Sequence, residues 1–166
     1  MRIEVKDQIT VNAPATEVWR VLAHEFENID RWSSGTTESG AVEQGSIPEG
    51  AKVCGRVCDG IREDFTYYDE QAGRFGYKGI DLPWYFFINR IENNWSVNSL
   101  EPNKSVVEMR PEIDINPFLG LFLKLLMPLI KKNLGTRTLE ELKYYVENDQ
   151  PHPRKVKAQQ KQRKVA

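Results

Sequence analysis

The sequence predicts an α+β domain in which a strongly curved antiparallel sheet packs against one long C-terminal helix. Three observations indicate this fold class. A first alternating segment is followed by two short amphipathic helical segments, and some eighty residues of period-2 alternation with short turns come next. The last long apolar stretch then has the 3-4 spacing of a helix face. Consecutive alternating segments joined by tight turns are typical of antiparallel hairpins.

Seven strands are predicted for the sheet. The first covers about ten residues from Ile3 to Val11, where apolar and polar residues alternate. The other six are predicted at residues 36–44, 51–59, 61–69, 73–80, 84–100 and 104–115. Turn residues such as Asp59-Gly60 separate them.

Two short helices are predicted between the first strand and the rest of the sheet. The first, residues 16–22, places Val18, Trp19 and Leu22 on one side. The second is a short helical turn from Phe26 to Trp32. Glycine and serine follow it and indicate a loop.

The long helix is predicted over residues 116–148. Asn116 followed by Pro117 is a typical start, because the asparagine side chain caps free N–H groups and proline loses no hydrogen bond at the first position. Apolar residues occur on every side from Phe118 to Ile130, which indicates an enclosed half with a kink at Pro128. The second half should present an ordinary solvated face, formed by Glu140, Glu141, Lys143 and Glu147.

Charge divides the chain into a domain of residues 1–149 and a basic tail of residues 150–166. The domain has 17 Lys and Arg against 24 Asp and Glu, a net charge of −7, whereas the tail has a net charge of +6. Because the tail has almost no apolar residues, we predict that it is disordered. It could contact an anionic membrane or remain a solvated extension, and we expect no nucleic-acid partner.

Short motifs and composition exclude several kinds of site. We expect no signal peptide, because Met1 leads directly into an alternating segment, and no apolar run reaches the ~20 residues of a membrane span. Cys54 and Cys58, the only cysteines, would lie about 13 Å apart along one strand face, too far for a disulfide. The sequence has no zinc-ligand spacing, phosphate-binding loop or nucleophile motif. We therefore expect a cytoplasmic protein without a metal or cofactor.

The inner face of the predicted sheet is rich in aromatic residues. Alternate positions within each strand share one face of a sheet. This periodicity places on the inner face Phe65, Tyr67, Phe75, Tyr77, Trp95, Val97, Val107, Met109 and Ile113. Large aromatic side chains hold a sheet and a helix apart, so a cavity is expected between them.

One stretch has a turn glycine, a Glu-containing hydrophobic strand, an acid-rich turn and an aromatic strand ending before proline. These features are at Gly60, Glu63, Phe65, Asp69, Arg74, Tyr77 and Pro83. A helix start at residues 12–19 and Trp32 come before this stretch, and the closing helix with Leu139 and Leu142 comes after it. Over nearly all of residues 3–148 this order resembles the START-like (SRPBCC) superfamily, especially its polyketide cyclase/dehydratase branch.

The resemblance implies a helix-grip fold whose cavity, between the sheet and the long helix, holds an apolar ligand. Relatives bind hormones, carry lipids, cyclise polyketides or assist other proteins, so the fold does not fix the activity. The expected ligand-binding residues are Glu63 and the inner-face set, together with Trp32, Phe118, Phe122 and Leu126.

Glu63 is the polar residue that we single out for the cavity. It shares strand parity with Ile61 and Phe65, and a carboxylate in an apolar cavity could serve as an acid or a ligand anchor. The alternative is a partly solvated position near the strand end. Tyr67 and Tyr77 could donate hydrogen bonds to a ligand carbonyl, or could pack in the core with satisfied hydroxyl groups.

The sequence departs from the resemblance at one position. Many members have an arginine a few residues after the glycine that opens the third strand, whereas here Val53 follows Gly50 at about that distance. If that arginine pairs with the cavity glutamate in relatives, Glu63 lacks this partner. Arg56 or Lys52 could substitute for it.

Three functional hypotheses remain open. The first is a non-catalytic domain that binds and carries an apolar small molecule. The second is a cyclase/dehydratase-type enzyme in which Glu63 moves protons with Tyr67 or Tyr77. The third is a lipid-handling protein that contacts an anionic membrane through the basic tail. His24 beside Glu25 invites an acid–base interpretation, but we favour a position at a surface helix end. The oligomeric state stays open.

Overall fold

The computed structural model describes residues 2–80, 88–116 and 131–163, which form an antiparallel sheet with helices packed against it. The strands are β1 (Arg2–Glu4), β2 (Asp7–Val11), β3 (Ser39–Ala41), β4 (Gly55–Cys58), β5 (Ile61–Asp69), β6 (Arg74–Ile80), β7 (Ile88–Glu101) and β8 (Lys104–Ile115). The α-helices are α1 (Ala15–Trp19), α2 (Arg137–Asn148) and α3 (Pro153–Arg163). Wider π-helical turns cover Arg20–His24 and Lys131–Thr136, and a 3-10 helix covers Phe26–Arg31.

The strand order is β1-β8-β7-β6-β5-β4-β3, and β2 also pairs with β8. This curved antiparallel sheet with a C-terminal helix confirms the predicted fold class. The structure has eight strands where the sequence predicts seven, because the first predicted strand is interrupted between β1 and β2. Their register against β8 continues across the gap, and the residue opposite Val5 is Pro111, which has no N–H to donate.

The alternation predicts the central strands better than the strands at the β3 edge. The bounds of β5 and β8 are those predicted, and β6 and the described part of β7 differ from prediction by one residue at an end. The predicted strands 36–44 and 51–59 are wrong in length, because only Ser39–Ala41 and Gly55–Cys58 pair in the sheet. Most of the segment between them is turns and loop.

A β-bulge in β5 changes which tyrosine faces inward. Phe65 pairs with Tyr77, but the register shifts before Tyr67. A bulge adds one residue to a strand and thereby exchanges the faces of the residues beyond it. Tyr68 therefore packs on the core ring of Trp19, with centroids 5.4 Å apart, whereas Tyr67 is 43% exposed. The prediction that Tyr67 faces inward is wrong for this reason.

The main core lies between the inner face of the sheet and the helices. The other predicted inner-face positions on β6, β7 and β8 are buried there, namely Phe75, Tyr77, Trp95, Val97, Val107 and Met109. Phe65 and Ile113 are partly buried. Leu139 and Leu142 of α2 complete the core, as their helical spacing predicts. Each such buried side chain contributes about 1.5–3 kcal/mol.

The predicted long helix is described only in its second half. Helix α2 continues the π-helical turn Lys131–Thr136 and ends at Asp149, which adopts a left-handed conformation with φ of 51°. The predicted kink at Pro128 and the positions of Phe118, Phe122 and Leu126 lie outside the described residues. No helix among the residues that the structure describes is both long and apolar enough to cross a membrane.

Residues 153–163 form helix α3, so the prediction that the whole tail is disordered is wrong. Lys155 is 1% exposed and donates from Nζ to the carbonyl oxygen of Thr36 at 2.6 Å. The ring of His152 packs edge-on against Tyr144, with centroids 5.1 Å apart. The tail has few apolar residues, and its attachment depends instead on polar and ionic contacts that composition does not reveal.

Candidate functional site

A pocket of about 490 Å³ lies between the inner face of the sheet and the first turn of α2. Strands β4 to β8 provide one wall, and α2 with the loop after the 3-10 helix provides the other. Its apolar lining includes Ile29, Tyr77, Ile91, Trp95, Met109, Pro111 and Ile113. The polar side chains of the lining include Arg56, Glu63, Asn93, Thr138 and Glu141. A mostly apolar wall with a few polar groups is typical of small-molecule sites.

Arg56 and Glu63 form an ion pair at the β4–β5 side of the pocket. The two residues are direct cross-strand partners, and Arg56 Nε lies 2.6 Å from Glu63 Oε2. Arg56 is 4% exposed, and its Nη1 donates to the carbonyl oxygen of Phe26 at 3.0 Å. Burial lowers the pKa of Arg56, but the charge and hydrogen bond of Glu63 together with the nearby Tyr77 and Cys58 raise it, so that the net shift is upward. Arg56 thus provides the partner that the sequence left open, and Lys52 is exposed.

The guanidinium of Arg56 is also enclosed by aromatic rings. Its central carbon lies 4.0 Å from the ring centroid of Phe26 and 4.8 Å from that of Tyr77. A cation over an aromatic face is attracted by the negative charge of the ring face. Arg56 is therefore fixed by Glu63, Phe26 and Tyr77 together.

Tyr77 and Asn93 form a second polar pair, on neighbouring strands. They are register partners on β6 and β7, and Asn93 Nδ2 donates to Tyr77 Oη at 3.0 Å. Burial raises the pKa of Tyr77 to about 12, the charge of Glu63 adds to this shift, and Arg56 opposes it. Tyr77 is therefore a neutral hydrogen-bond donor near pH 7.

Asn93 lines the pocket but is not among the ligand-binding residues predicted from the sequence. Its strand parity is that of Trp95 and Val97, both predicted to face inward, so the signal was present. Its Oδ1 is buried and has no hydrogen-bond partner in the described part of the chain. Glu63 is similar in one respect, because only Oε2 of its two oxygens has a partner among the described residues.

Glu141 shows that the predicted solvated face of α2 is wrong at one position. It is 2% exposed and accepts hydrogen bonds from the backbone N–H and the hydroxyl of Ser34, both at 2.7 Å. Arg154 of α3 donates from Nε to the same carboxylate at 2.9 Å and also pairs with Glu140 at 2.6 Å. The Glu141 carboxylate is therefore enclosed between Ser34, in the loop after the 3-10 helix, and Arg154 of α3.

The structure does not support Cys58 as a nucleophile or His24 as a partner of Glu25. Burial raises the pKa of Cys58 to about 12, against the opposing effect of Arg56, so its thiol stays protonated at neutral pH. His24 lies 2.7 Å from Glu70, not from Glu25, which pairs with Arg20. Within residues 2–80, 88–116 and 131–163, no three His, Cys, Asp or Glu side chains are arranged to hold a metal.

The pocket includes part of the predicted ligand-binding set. Its lining contains Glu63, Tyr77, Trp95, Met109 and Ile113. The described lining does not include Trp32, Phe65, Phe75, Val97 or Val107, which pack in or against the core. Tyr67 instead borders a groove on the outer face of the sheet, together with Arg74 and Arg110. Contact with a ligand stays a prediction for every residue of the set.

Solved structures with a similar fold include proteins of different kinds. Norcoclaurine synthase from Thalictrum flavum is 14% identical, with a TM-score of 0.65 over 89% of this chain and 88% of that chain. XoxI from Bacillus cereus is 15% identical, with a TM-score of 0.67 over 90% of this chain and 99% of that chain. Ara h 8.0201 is 10% identical, with a TM-score of 0.62 over 88% and 98%. At these identities the likeness shows the fold alone.

The sequence itself matches one protein family over most of its length. No curated protein matches it significantly. The family described as "Polyketide cyclase / dehydrase and lipid transport" matches residues 2–147, which include β1 to β8 and nearly all of α2. The observed fold agrees with this match and with the START-like resemblance of the sequence. The chain therefore belongs to the polyketide cyclase/dehydrase and lipid transport family of the START-like superfamily.

Proposed function

We propose that the protein binds a small, largely apolar molecule in the pocket between the sheet and α2. The observation that supports this proposal most directly is the pocket itself. It has about 490 Å³ of space, and its apolar lining includes Trp95, Met109 and Ile113. Burial of apolar ligand surface against such side chains gives a favourable free energy of about 25 cal/mol per Å².

The comparisons are consistent with small-molecule binding. The family description names lipid transport beside cyclase chemistry. The norcoclaurine synthase of Thalictrum flavum was solved in complex with dopamine and hydroxybenzaldehyde, at 17% identity to this chain. The same fold therefore holds small aromatic molecules in another protein.

Native mass spectrometry of the protein purified from its own host tests this proposal. We expect a mass excess that disappears on denaturation, and organic extraction should release the same compound. A titration with the neutral fluorescent probe N-phenyl-1-naphthylamine provides a second measurement, with an expected increase in fluorescence. Absence of both a bound compound and probe binding would contradict the proposal.

Proton-transfer catalysis is the second candidate function. Glu63 and Tyr77 line one pocket, and Tyr77 is protonated at neutral pH, so one carboxylate and one hydroxyl donor face the same space. Tyr67 has no place in this reading, because it faces solvent. A carrier needs no such groups, whereas an enzyme acting on a carbonyl compound needs a base and a hydrogen-bond donor.

Glu63→Gln separates the two candidates. If the protein turns over a carbonyl substrate by proton transfer, the substitution should lower kcat by about 100-fold or more, because glutamine cannot accept a proton. Probe affinity should change little. Since the variant also leaves Arg56 without its counter-ion, kcat is measured below the melting transition of the variant. An unchanged kcat would exclude Glu63 as the base.

Contact with an anionic membrane would use only part of the basic tail. Arg154 and Lys155 are committed to contacts within the protein. Lys157, Lys161 and Arg163 of α3 are exposed, and each could contribute roughly 1 kcal/mol near an acidic lipid surface.

Liposome co-sedimentation with a triple Gln variant at Lys157, Lys161 and Arg163 tests the membrane contact. We expect weak binding of the wild type to anionic vesicles at low salt, none to neutral vesicles, and loss of binding in the variant. The three substitutions are preferable to truncation, because they keep Arg154 and Lys155 in place. Equal binding of the two proteins would assign no membrane role to α3.

A further inference from the structure

Asn93 is one of the polar residues that line the pocket, and its side-chain oxygen is a buried acceptor without a partner among the described residues. Its row on the inner face continues from Tyr77 on β6 through Asn93 on β7 to Pro111 on β8. Nδ2 is used by Tyr77, and Pro111 has neither an N–H nor a polar side chain. Oδ1 therefore remains buried in the described structure without a donor. A buried polar atom of this kind requires a partner from outside the protein, either water or a ligand.

Glu63 adds a second acceptor to the same pocket. Oε2 takes the hydrogen bond from Arg56, whereas Oε1 has no partner in the described part of the chain. An ionised carboxylate is acceptor-only, so it cannot satisfy Asn93 and cannot bind a ligand carbonyl. Arg56, the cation beside it, donates from Nε to Glu63 and from Nη1 to the carbonyl oxygen of Phe26.

We infer that the ligand has a hydrogen-bond donor, a hydroxyl or amine group, on its apolar body, and that Asn93 Oδ1 accepts from this group. This inference rests on the proposed function and narrows it to one ligand class. A hydrocarbon or an acceptor-only ligand would leave Asn93 Oδ1 unpaired, which lowers affinity. A phenol or alcohol of the same shape would donate its one O–H to this oxygen.

Two probes of nearly equal shape test the inference. 2-Naphthol has a hydroxyl donor, whereas 2-methoxynaphthalene has only an acceptor and is the more apolar compound. Both are titrated as competitors of N-phenyl-1-naphthylamine on the full chain. We expect 2-naphthol to bind about tenfold more tightly, the factor of a single net hydrogen bond. Simple partition into an apolar pocket would give the reverse order.

Substitution of Asn93 shows whether its side chain causes the preference for 2-naphthol over 2-methoxynaphthalene. Asn93→Leu should reduce the affinity ratio of the two probes to about one, mainly by weakening 2-naphthol. Asn93→Asp keeps an acceptor at this position and should keep the preference. Asn98→Leu is the matched control, because Asn98 lies on the same strand, is exposed and is outside the pocket. It should leave the ratio at its wild-type value.

The outcomes separate the inference from the proposed function. Equal affinities in the wild type, a preference for 2-methoxynaphthalene, or a preference that persists in Asn93→Leu would overturn the inference, while binding in the pocket would stand. The wild-type ratio decides the matter even if a variant does not fold. If neither probe nor N-phenyl-1-naphthylamine binds at all, the proposed function fails instead.

Discussion

Replacing Arg56 with leucine should lower the free energy of unfolding by about 3–5 kcal/mol, the cost of breaking a buried ion pair. The guanidinium is almost fully buried, and its removal leaves the largely buried Glu63 carboxylate without its counter-ion. The substitution also removes the contacts with the rings of Phe26 and Tyr77 and the hydrogen bond to the Phe26 carbonyl. Urea unfolding of the variant and the wild type measures the difference.

Arg62→Leu provides the matched control for this prediction. Arg62 pairs with Asp64 on the same strand, β5, and donates to the carbonyl oxygen of Gln44, but its side chain is more than a third exposed. Its removal should cost about 1 kcal/mol or less. The double variant Arg56→Leu, Glu63→Leu should recover most of the loss, because it leaves no unpaired charge. A double variant as unstable as Arg56→Leu would show that the charge pair is not the cause.

The second large effect is expected at Arg154. Its replacement by leucine should lower the free energy of unfolding by about 2–3 kcal/mol, because it removes the cation beside the buried Glu141. The loss is smaller than at Arg56, since both hydrogen bonds from Ser34 to Glu141 remain. Arg163→Leu at the exposed end of the same helix should change stability by about 0.5 kcal/mol or less.

Glu141→Gln in the Arg154→Leu background identifies the mechanism. A neutral amide oxygen still accepts from Ser34 but needs no counter-ion, so this second substitution should restore part of the lost stability. The same urea titration measures it. If Arg154→Leu resembles Arg163→Leu, helix α3 contributes no stability through Glu141, and the role of the tail in holding α2 would be refuted.

The sequence predicts the fold where side-chain alternation is regular. Strands β5 and β8 begin and end at the predicted residues, because strong alternation is bounded there by turn residues such as Gly60 and Asn103. Tyr67 is the exception. Two adjacent tyrosines follow Thr66, and either can face the core, so the alternation does not reveal the bulge that selects Tyr68.

The site could be predicted only where one strand supplies the information. Parity within a strand places Glu63 and Tyr77 in the pocket and could have placed Asn93. Glu141 is different, because its burial depends on Arg154 and Ser34, which are distant in sequence and lie on separate elements. Helical periodicity assigns Glu141 to a solvated face, and composition assigns Arg154 to a disordered tail. Their pairing arises only in the folded chain.

Titration with a fluorescent probe shows whether a ligand binds in the pocket between the sheet and α2. N-phenyl-1-naphthylamine is titrated into the wild type, Ile91→Trp and Leu100→Trp. Both substitutions lie on β7, but Ile91 lines the pocket, whereas Leu100 is 54% exposed. Thermal unfolding shows first that both variants are folded, because added volume in a packed region can itself cost about 1–3 kcal/mol.

The added indole at position 91 should occupy the pocket and weaken probe binding by about tenfold or more, a free-energy difference of about 1.4 kcal/mol. Leu100→Trp should bind as the wild type does. Equal affinity in all three proteins would contradict ligand binding in this pocket, because the probe would then bind elsewhere on the surface.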